Sequence, residues 1–322
     1  STRLVTLTGV GGSGKTRLAL KVAWENLIQF TDGVWFVSLA ALTEPAQVMK
    51  MTARALGVAD DSSPERLQDA IKRSFSDKRI LLVLDNFEHV LEAAPAVSDL
   101  IAGAPRLTVL VTSREVLNLY GEHEYPVPPL AVQRADGSES VAALAAIDSV
   151  QLFVQSARAA IPSFELTEAN HTTVAQICAQ LEGLPLSIEL SVARLRMLSP
   201  AQLLARLDDR LKMLVGGPQD LPKRQQALRS AIEWSYHLLS AEERALFELL
   251  AAFRGGCTFD AIEAVHSSAD EDDHWLLLES LIRKNLLEPF EGSDGQMRFR
   301  MLETIREYAL ERLRTRPDYP DI

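Results

Sequence analysis

One segment near the start of the chain restricts the possible folds more than any other. The run Gly9-Val10-Gly11-Gly12-Ser13-Gly14-Lys15-Thr16 follows an apolar, β-rich segment (3–8) and precedes a segment with helical periodicity (14–29). Glycines let such a loop curl until successive backbone N–H groups converge on one anion, and the helix N-terminus adds a partial positive charge. This context favours a phosphate-binding loop over a chance glycine-rich turn.

The loop predicts a role for its side chains. Lys15 is expected to reach the β- and γ-phosphates of a nucleotide, and the Thr16 hydroxyl to bind Mg²⁺. The predicted nucleotide-binding residues of the loop and of the helix start are Gly9, Gly11, Gly12, Ser13, Gly14, Lys15, Thr16 and Arg17.

A second strand supplies the acid that such a loop requires. The aliphatic run 80–84 ends in Asp85, and Mg²⁺ prefers oxygen ligands with one carboxylate and several waters. Asp85 is therefore predicted to be a catalytic residue and, with Thr16, a magnesium ligand. Asn86 follows, at the position where many hydrolysing P-loop proteins carry a second acid. Glu88 and His89 are candidates to orient water instead, or they cap the next helix.

A third aliphatic strand, 107–112, leads into Ser113 and Arg114. Ligands of parallel sheets bind at the carboxyl ends of the strands, so Arg114 is expected near the phosphates. Two interpretations remain open: a charge-assisted contact with the γ-phosphate, or a plain surface salt bridge.

Strands and helices alternate over the first part of the chain, which predicts an α/β domain with a parallel sheet. A fifth strand at 125–127 is expected at the edge, because Pro126 has no N–H for a central ladder. We predict a P-loop nucleotide-binding domain at 1–130, a loose connector at 131–146, an all-helical domain at 147–215 and a winged-helix domain at 218–316.

The helical domain is expected to contain helices at 148–160, 168–182, 185–196 and 200–211. Gly183-Leu184-Pro185 predicts a helix stop and restart, and Gly216-Gly217-Pro218 the second domain boundary. The winged-helix domain is expected to contain helices at 224–239, 240–253, 258–266, 271–284 and 303–314, with a hairpin turn at 291–295 between two strands.

These features together resemble a known family. The phosphate loop, the LLVLDN strand (81–86), the TSR-ended strand (112–114), the LEGLPL helix break (181–186) and the closing segment RMLETIREYA (300–309) occur in that order. The chain is identified as a member of the STAND ATPases (signal-transduction ATPases with numerous domains), in particular the bacterial AfsR-like and LuxR-like regulators, which are related to NB-ARC modules. The resemblance covers nearly the whole chain.

The resemblance implies further site residues. Pro185 would pack on the adenine, and Arg114 would act as the first sensor of the nucleotide. Lys15, Asp85 and Arg114 are thus the predicted catalytic residues. The chain departs from the NB-ARC pattern at Leu302, which replaces the histidine that contacts the ADP β-phosphate. It also lacks the family's Gly-Arg-Glu segment upstream of the phosphate loop.

The function implied is a regulatory switch that binds ATP or ADP with Mg²⁺. ADP would hold the domains closed, ATP would open them and permit self-association, and slow hydrolysis would reset the switch. Effector and sensor domains would lie outside this chain, which begins directly at a strand and is expected to be part of a longer protein. The alternative is a catalytically active P-loop ATPase or phosphotransferase, although Asn86 argues against fast turnover.

Composition narrows the setting and the partners. The 322-residue chain carries a net charge of −11, has two cysteines in unrelated contexts, and contains no apolar run of membrane-spanning length. We expect a cytoplasmic protein without membrane contact. Segment 258–295 carries ten acidic and two basic residues, so no direct DNA binding is expected; Trp275, Leu276 and Leu278 are expected in the core.

Overall fold

The computed structural model describes residues 2–42, 44–58, 64–133, 135, 137–207, 228–266, 271–292 and 294–316. The chain separates into two compact units. The first comprises Ser1–Gly9 and Gly14–Val127, and the second comprises Val10–Ser13 and Pro128–Ile322. The tip of the phosphate loop is thus grouped with the second unit. None of the described helices combines the length and apolar character needed to cross a bilayer.

The first unit is built on a parallel five-stranded sheet of order β2-β3-β4-β1-β5. Its strands are β1 (Leu4–Thr8), β2 (Val34–Ser38), β3 (Ile80–Asp85), β4 (Leu107–Thr112) and β5 (Glu122–Pro126). Its helices are α1 (Lys15–Glu25), α2 (Gln47–Ala55), α3 (Pro64–Phe75) and α4 (Ala94–Gly103). The predicted parallel α/β sheet is confirmed.

The central strands are apolar because both faces of the sheet are covered. Every residue of β3 is buried, and α1 packs on one face through Ala19 and Ala23. The other face packs against α2, α3 and α4. The edge strand β5 is mostly exposed, which explains why its polar sequence shows no hydrophobic alternation. It begins at Glu122, three residues earlier than predicted.

The second unit is helical, with a small antiparallel sheet of order β6-β8-β7. Its helices are α5 (Val141–Ala145), α6 (Asp148–Ala160), α7 (His171–Gln180), α8 (Pro185–Val192), α9 (Pro200–Leu204), α10 (Leu228–His237), α11 (Ala241–Leu250), α12 (Phe259–Val265), α13 (Glu271–Arg283) and α14 (Glu303–Leu313). Its strands are β6 (Cys257–Thr258), β7 (Glu288–Glu291) and β8 (Met297–Arg300). The predicted winged helix and its hairpin are confirmed.

One apolar core runs through this unit, from Leu144 of α5 to Ala309 of α14. The expectation of a loose connector at 131–146 is wrong for its last part, since Ser140 caps the short helix α5 and Leu144 is buried. The boundary expected at 216–218 lies outside the described residues, so the limits of the three predicted domains stay predictions.

Candidate nucleotide site at the carboxyl edge of the sheet

The phosphate loop joins β1 to α1 through a backbone that only glycine adopts easily. Gly12 and Gly14 have φ angles of 87° and 96°, in the left-handed region. Gly14 is also the N-cap of α1, whose first turn contains no acidic residue and whose N-terminus has no side-chain cap. The first N–H groups of α1 therefore keep their partial positive charge available for an anion.

Lys15 is the first residue of α1 and is buried. Its Nζ donates a hydrogen bond to the carbonyl oxygen of Gly9 at 2.6 Å, which turns the side chain back over the loop. Burial lowers the pKa of Lys15 from 10.5 to about 8, although the carboxylates of Glu88 and Asp85 oppose the shift. A buried ammonium group at the start of a helix is suited to a phosphate ligand.

Asp85 ends β3 and meets two hydroxyl groups at the sheet edge. Thr16 Oγ1 donates to Asp85 Oδ1 at 2.6 Å, and Thr112 Oγ1 donates to the same atom at 2.7 Å. Burial raises the pKa of Asp85, and the two hydroxyl hydrogen bonds counteract part of that shift. The two predicted magnesium ligands, Thr16 and Asp85, thus lie in contact, with oxygen donors of the type that Mg²⁺ prefers.

Thr112 is a site residue whose individual role sequence reasoning missed. It accepts a hydrogen bond from the backbone N–H of Asn86 at 3.0 Å while it donates to Asp85. Because β4 lies beside β3 in the sheet, the last residues of the two strands are neighbours. That strand order is the missing information, since any of several orders is compatible with the sequence.

Glu88 and Arg114 form a buried ion pair beside this cluster. Arg114 Nε lies 3.4 Å from Glu88 Oε1, and both side chains are at most 8% exposed. Burial would raise the pKa of Glu88, but the cations Arg114 and Lys15 outweigh it and the net shift is downward. Glu88 is therefore ionised near the phosphate loop.

The structure corrects two interpretations that the sequence left open, one for Glu88 and His89 and one for Arg114. Helix α4 starts at Ala94 with Ala93 at its N-cap and no side-chain cap, so neither Glu88 nor His89 caps it. The salt bridge of Arg114 is buried, so the interpretation as a surface pair is wrong as well. The reason is the short 3-10 helix Phe87–His89, which directs Glu88 into the protein.

Two buried polar atoms near the phosphate loop bear on whether a phosphate group and a metal ion fit this site. Ser13 Oγ is buried and makes no hydrogen bond to any described residue, and the same holds for Glu88 Oε2. Within the first unit, the Lys15 ammonium stands at the N-terminus of α1, and its charge interacts with the carboxylates of Glu88 and Asp85. This donor set fits a bound nucleotide with its metal ion. Arg17 lies on the exposed side of α1.

The predicted adenine contact, Pro185, is the first residue of α8 and is half-buried. The adjacent Leu186 donates its N–H to the carbonyl oxygen of Gly12 at 3.2 Å. A Cβ atom at Gly12 would lie 2.8 Å from the Cβ of Leu186, so only glycine fits there. The helix break at 183–186 therefore lies directly against the tip of the phosphate loop, within the second unit.

Comparisons with known proteins follow the same division of the chain. Residues 1–127 match the family described as "AAA domain", and residues 239–314 match the "Winged helix-turn-helix domain". The HTH-type transcriptional regulator Rv0890c of Mycobacterium tuberculosis is 39% identical over 97% of this chain. The regulatory protein AfsR of Streptomyces coelicolor is 30% identical over 94% of this chain.

The chain spans about a third of these relatives, 34% of Rv0890c and 28% of AfsR. The uncharacterised protein Rv0894 of Mycobacterium tuberculosis is 37% identical, and the match covers 97% of this chain and 76% of Rv0894. This chain belongs to a family of AfsR-like P-loop ATPases that includes Rv0894.

Among solved structures, the Aeropyrum pernix ORC2 protein in its ADPNP-ADP complexes is similar to this AfsR-like ATPase. The match has a TM-score of 0.51 and 11% identity, and covers 97% of this chain and 89% of that chain. At this identity the similarity concerns the fold alone: a P-loop sheet domain followed by helices and a winged helix.

The winged helix of this AfsR-like ATPase differs from the expectation in one respect. Leu278 is buried as predicted, but Trp275 and Leu276 are 54% and 63% exposed, so placing them in the core is wrong. Trp275 stacks on Phe259 with ring centroids 4.1 Å apart. Helix α13 buries one stripe through Leu278 and Leu281, and Trp275 lies at the margin of that stripe, where half of its surface stays exposed.

Proposed function

We propose that this chain is an ATP- and ADP-binding switch module with slow hydrolysis. In this proposal the phosphate loop holds the phosphates through the backbone N–H groups of residues 11–16 and through Lys15. Thr16 and Asp85 bind Mg²⁺, and Pro185 packs on the adenine. The observation that carries the proposal is the buried Lys15 at the start of α1, with Asp85 bound to Thr16 at 2.6 Å.

The AfsR-like relatives support a regulatory role, because they are named as regulators of transcription or as regulatory proteins. The ORC2 relative was solved with ADPNP and ADP, which supports an adenine nucleotide as the ligand. A switch stores binding energy as a difference between two domain arrangements rather than as a lowered chemical barrier. ADP would favour a closed arrangement, and ATP an open one that self-associates.

Slow hydrolysis is proposed because, among the described residues next to Asp85 in the sequence, no second acid is free to activate a water molecule. Asn86 replaces the second acid, and Glu88 is held by Arg114 rather than directed alone at a water molecule. Within the described residues, Glu88 Oε2 is the buried carboxylate oxygen without a hydrogen bond, so it is the proposed acceptor of the water proton. Arg114 would contact the γ-phosphate through its Nη groups, because Nε is the atom that faces Glu88.

The test is the nucleotide retained by the purified protein together with its turnover. Retained ADP and turnover far below the usual enzyme median of about 10 s⁻¹ support the switch. Turnover near that median would establish the alternative, a working ATPase or phosphotransferase. A purified protein that binds neither ADP nor ATP would contradict both the switch and the ATPase or phosphotransferase.

A second candidate function, direct DNA binding, is favoured by the winged helix-turn-helix match at residues 239–314. We propose instead that this chain does not read DNA, because most of the affinity for DNA comes from contacts of Lys and Arg with phosphates. The two arginines of the wing are each paired with a carboxylate: Arg298 with Asp294 at 2.9 Å, and Arg300 with Glu288 at 3.3 Å. Lys284, which directly follows α13, is paired with Glu243 at 2.6 Å.

An anisotropy titration with mixed-sequence duplexes at physiological salt tests this point. We expect a dissociation constant no better than about 10⁻⁴ M, the weak end of non-specific binding. A sub-micromolar complex that weakens steeply with salt would make this chain a DNA-binding regulator.

A further inference from the structure

Glu182 makes a contact that no motif in the sequence indicates. It lies in the turn between α7 and α8, with a φ of 54°, which is uncommon for a residue other than glycine. Its carboxylate accepts the backbone N–H of Glu303 at 2.9 Å and that of Thr304 at 3.4 Å. These are the first two residues of α14, 121 and 122 positions further along the chain.

Helix α14 depends on this carboxylate for its N-terminus. Its own N-cap residue is Leu302, which offers no side-chain hydrogen bond. The first N–H groups of a helix need acceptors and carry a partial positive charge, which a carboxylate satisfies in both respects. Glu182 thus acts as the cap of α14 from a distant part of the sequence.

The turn that carries Glu182 is also in contact with the phosphate loop. Leu186, four residues later, donates its N–H to the carbonyl oxygen of Gly12 at 3.2 Å. Between them, Gly183 accepts the N–H of Leu130 at 2.9 Å, and a Cβ atom at Gly183 would lie 2.0 Å from the Leu130 oxygen. The turn is therefore held on both sides and has little room to deform internally.

Helix α14 is in turn fixed to the rest of the winged helix. Arg306 donates to the carbonyl oxygen of Ala251 at 3.0 Å, and Arg312 donates to Glu233 of α10 at 2.8 Å. Tyr308 is fully buried between these contacts. A displacement of the N-terminus of α14 therefore moves α10 and the end of α11 with it.

We propose that Glu182 is the positioning residue that couples nucleotide binding at the phosphate loop to the winged helix. The proposal rests on the proposed function, because it needs a nucleotide at the loop. A nucleotide that orders the Gly12 peptide holds Leu186 in place. The stiff turn then holds Glu182, and Glu182 holds the start of α14. Loss of that contact frees the winged helix while the phosphate loop stays occupied.

The experiment is hydrogen exchange of the 322-residue chain with and without saturating ADP, read at the amides of Ile305 and Arg306. Both amides donate to the carbonyl oxygen of Leu302 at 2.9 Å and do not themselves bond to Glu182. In the wild type we expect ADP to slow their exchange by about tenfold or more, within the usual range of allosteric coupling. In Glu182→Ala we expect less than about a twofold effect, with ADP protection of residues 11–16 retained.

Two further variants keep the test decisive if Glu182→Ala folds poorly. Glu182→Gln keeps an oxygen acceptor without the charge and is expected to restore part of the ADP effect at α14. The control is Glu165→Ala, an exposed acid of the same helical region, which is expected to behave like the wild type. A role of Glu182 in stability alone would lower protection equally with and without ADP, leaving their ratio unchanged.

The outcomes separate the two proposals. If ADP protects residues 11–16 but α14 responds equally in the wild type and in both Glu182 variants, the coupling role is wrong and the switch can still stand. If ADP protects the loop but not α14 even in the wild type, the coupling role is wrong too. If the wild type binds no ADP at all, the proposed function fails and the coupling fails with it.

Discussion

Charged side chains are buried at the sheet edge and exposed in the wing of the winged helix. At the sheet edge, Lys15, Asp85, Glu88 and Arg114 are all buried, with exposures of 4–8%. In the wing, the Arg298–Asp294 pair is 36% and 45% exposed. Burying a charge costs free energy that the pairing seldom restores in full, whereas an exposed pair costs and contributes little.

This difference in exposure indicates which charged residues contribute to folding and which have another role. The winged helix gains its stability from apolar residues such as Phe247, Leu281 and Tyr308, all fully buried. The ion pairs of its wing, Arg298–Asp294 and Arg300–Glu288, lie at the surface. The sheet also has an apolar core of its own, so its four buried charges do not serve folding. They are explained by a charged ligand and its metal ion at that edge, as proposed above.

The largest expected effect concerns the buried pair. Arg114→Ala leaves Glu88 ionised and buried, and should lower the free energy of unfolding of the sheet by about 3–5 kcal/mol. The matched exposed change, Arg298→Ala, should cost about 0–1 kcal/mol. Native-state hydrogen exchange of β3 and β8 amides measures both values. If the two substitutions lowered the free energy of unfolding equally, the proposed difference between the buried and the exposed ion pair would be wrong.

Next in size is the loss of the phosphate contact. Lys15→Ala should weaken ADP binding about ten- to hundredfold, since a hydrogen bond to a charged group contributes about 1.5–3 kcal/mol. Lys21→Ala, on the same helix in an exposed pair with Glu25, is the control and should change nothing. Calorimetric titration gives both affinities. An unchanged affinity for Lys15→Ala would exclude the assigned phosphate role.

The metal role of Asp85 gives a smaller, more selective effect. Asp85→Ala should weaken Mg²⁺-dependent ATP binding about tenfold more than Mg²⁺-free ADP binding, because its contact is with the metal. Asp99→Ala, an exposed acid that pairs with Lys72, is the control. Titrations with and without Mg²⁺ separate the two losses. Equal losses would mean that Asp85 supports the loop only through Thr16 and Thr112.

The smallest expected effect is a pH dependence. The pKa of Lys15 is lowered to about 8 by burial, and phosphate binding favours the protonated form. Below pH 8 the free protein is already protonated there, and above it binding must take up a proton. ADP affinity should therefore fall as pH rises through 8, to roughly a quarter of its pH 7 value at pH 8.5.

Lys15→Arg is the comparison for this measurement, because arginine stays charged throughout the range. Its ADP affinity should remain flat between pH 7 and pH 9. A wild-type affinity that is equally flat would mean that Lys15 keeps an ordinary pKa, and that the buried charges are less isolated from water than the geometry indicates.

The sequence alone determined the class of the first unit and the position of its candidate site. Both signals are local in the sequence: a glycine-rich loop between a strand and a helix, and an aliphatic strand that ends in Asp85. Helix bounds were predicted well where local signals are strong. Examples are α6, predicted at 148–160 and observed at Asp148–Ala160, and α8, which begins at Pro185 as predicted. The short helix α5 was missed, because its sequence has no strong periodicity.

Only the tertiary structure decided which distant residues meet. Thr112 contacts Asp85 because β4 lies beside β3, Glu88 pairs with Arg114 across two strand ends, and Glu182 caps a helix 121 residues away. Trp275 and Leu276 look like core residues in the sequence, yet the face of α13 that packs inward is the one with Leu278. Periodicity fixes which residues share a face, but the packing of neighbouring elements decides which face is buried.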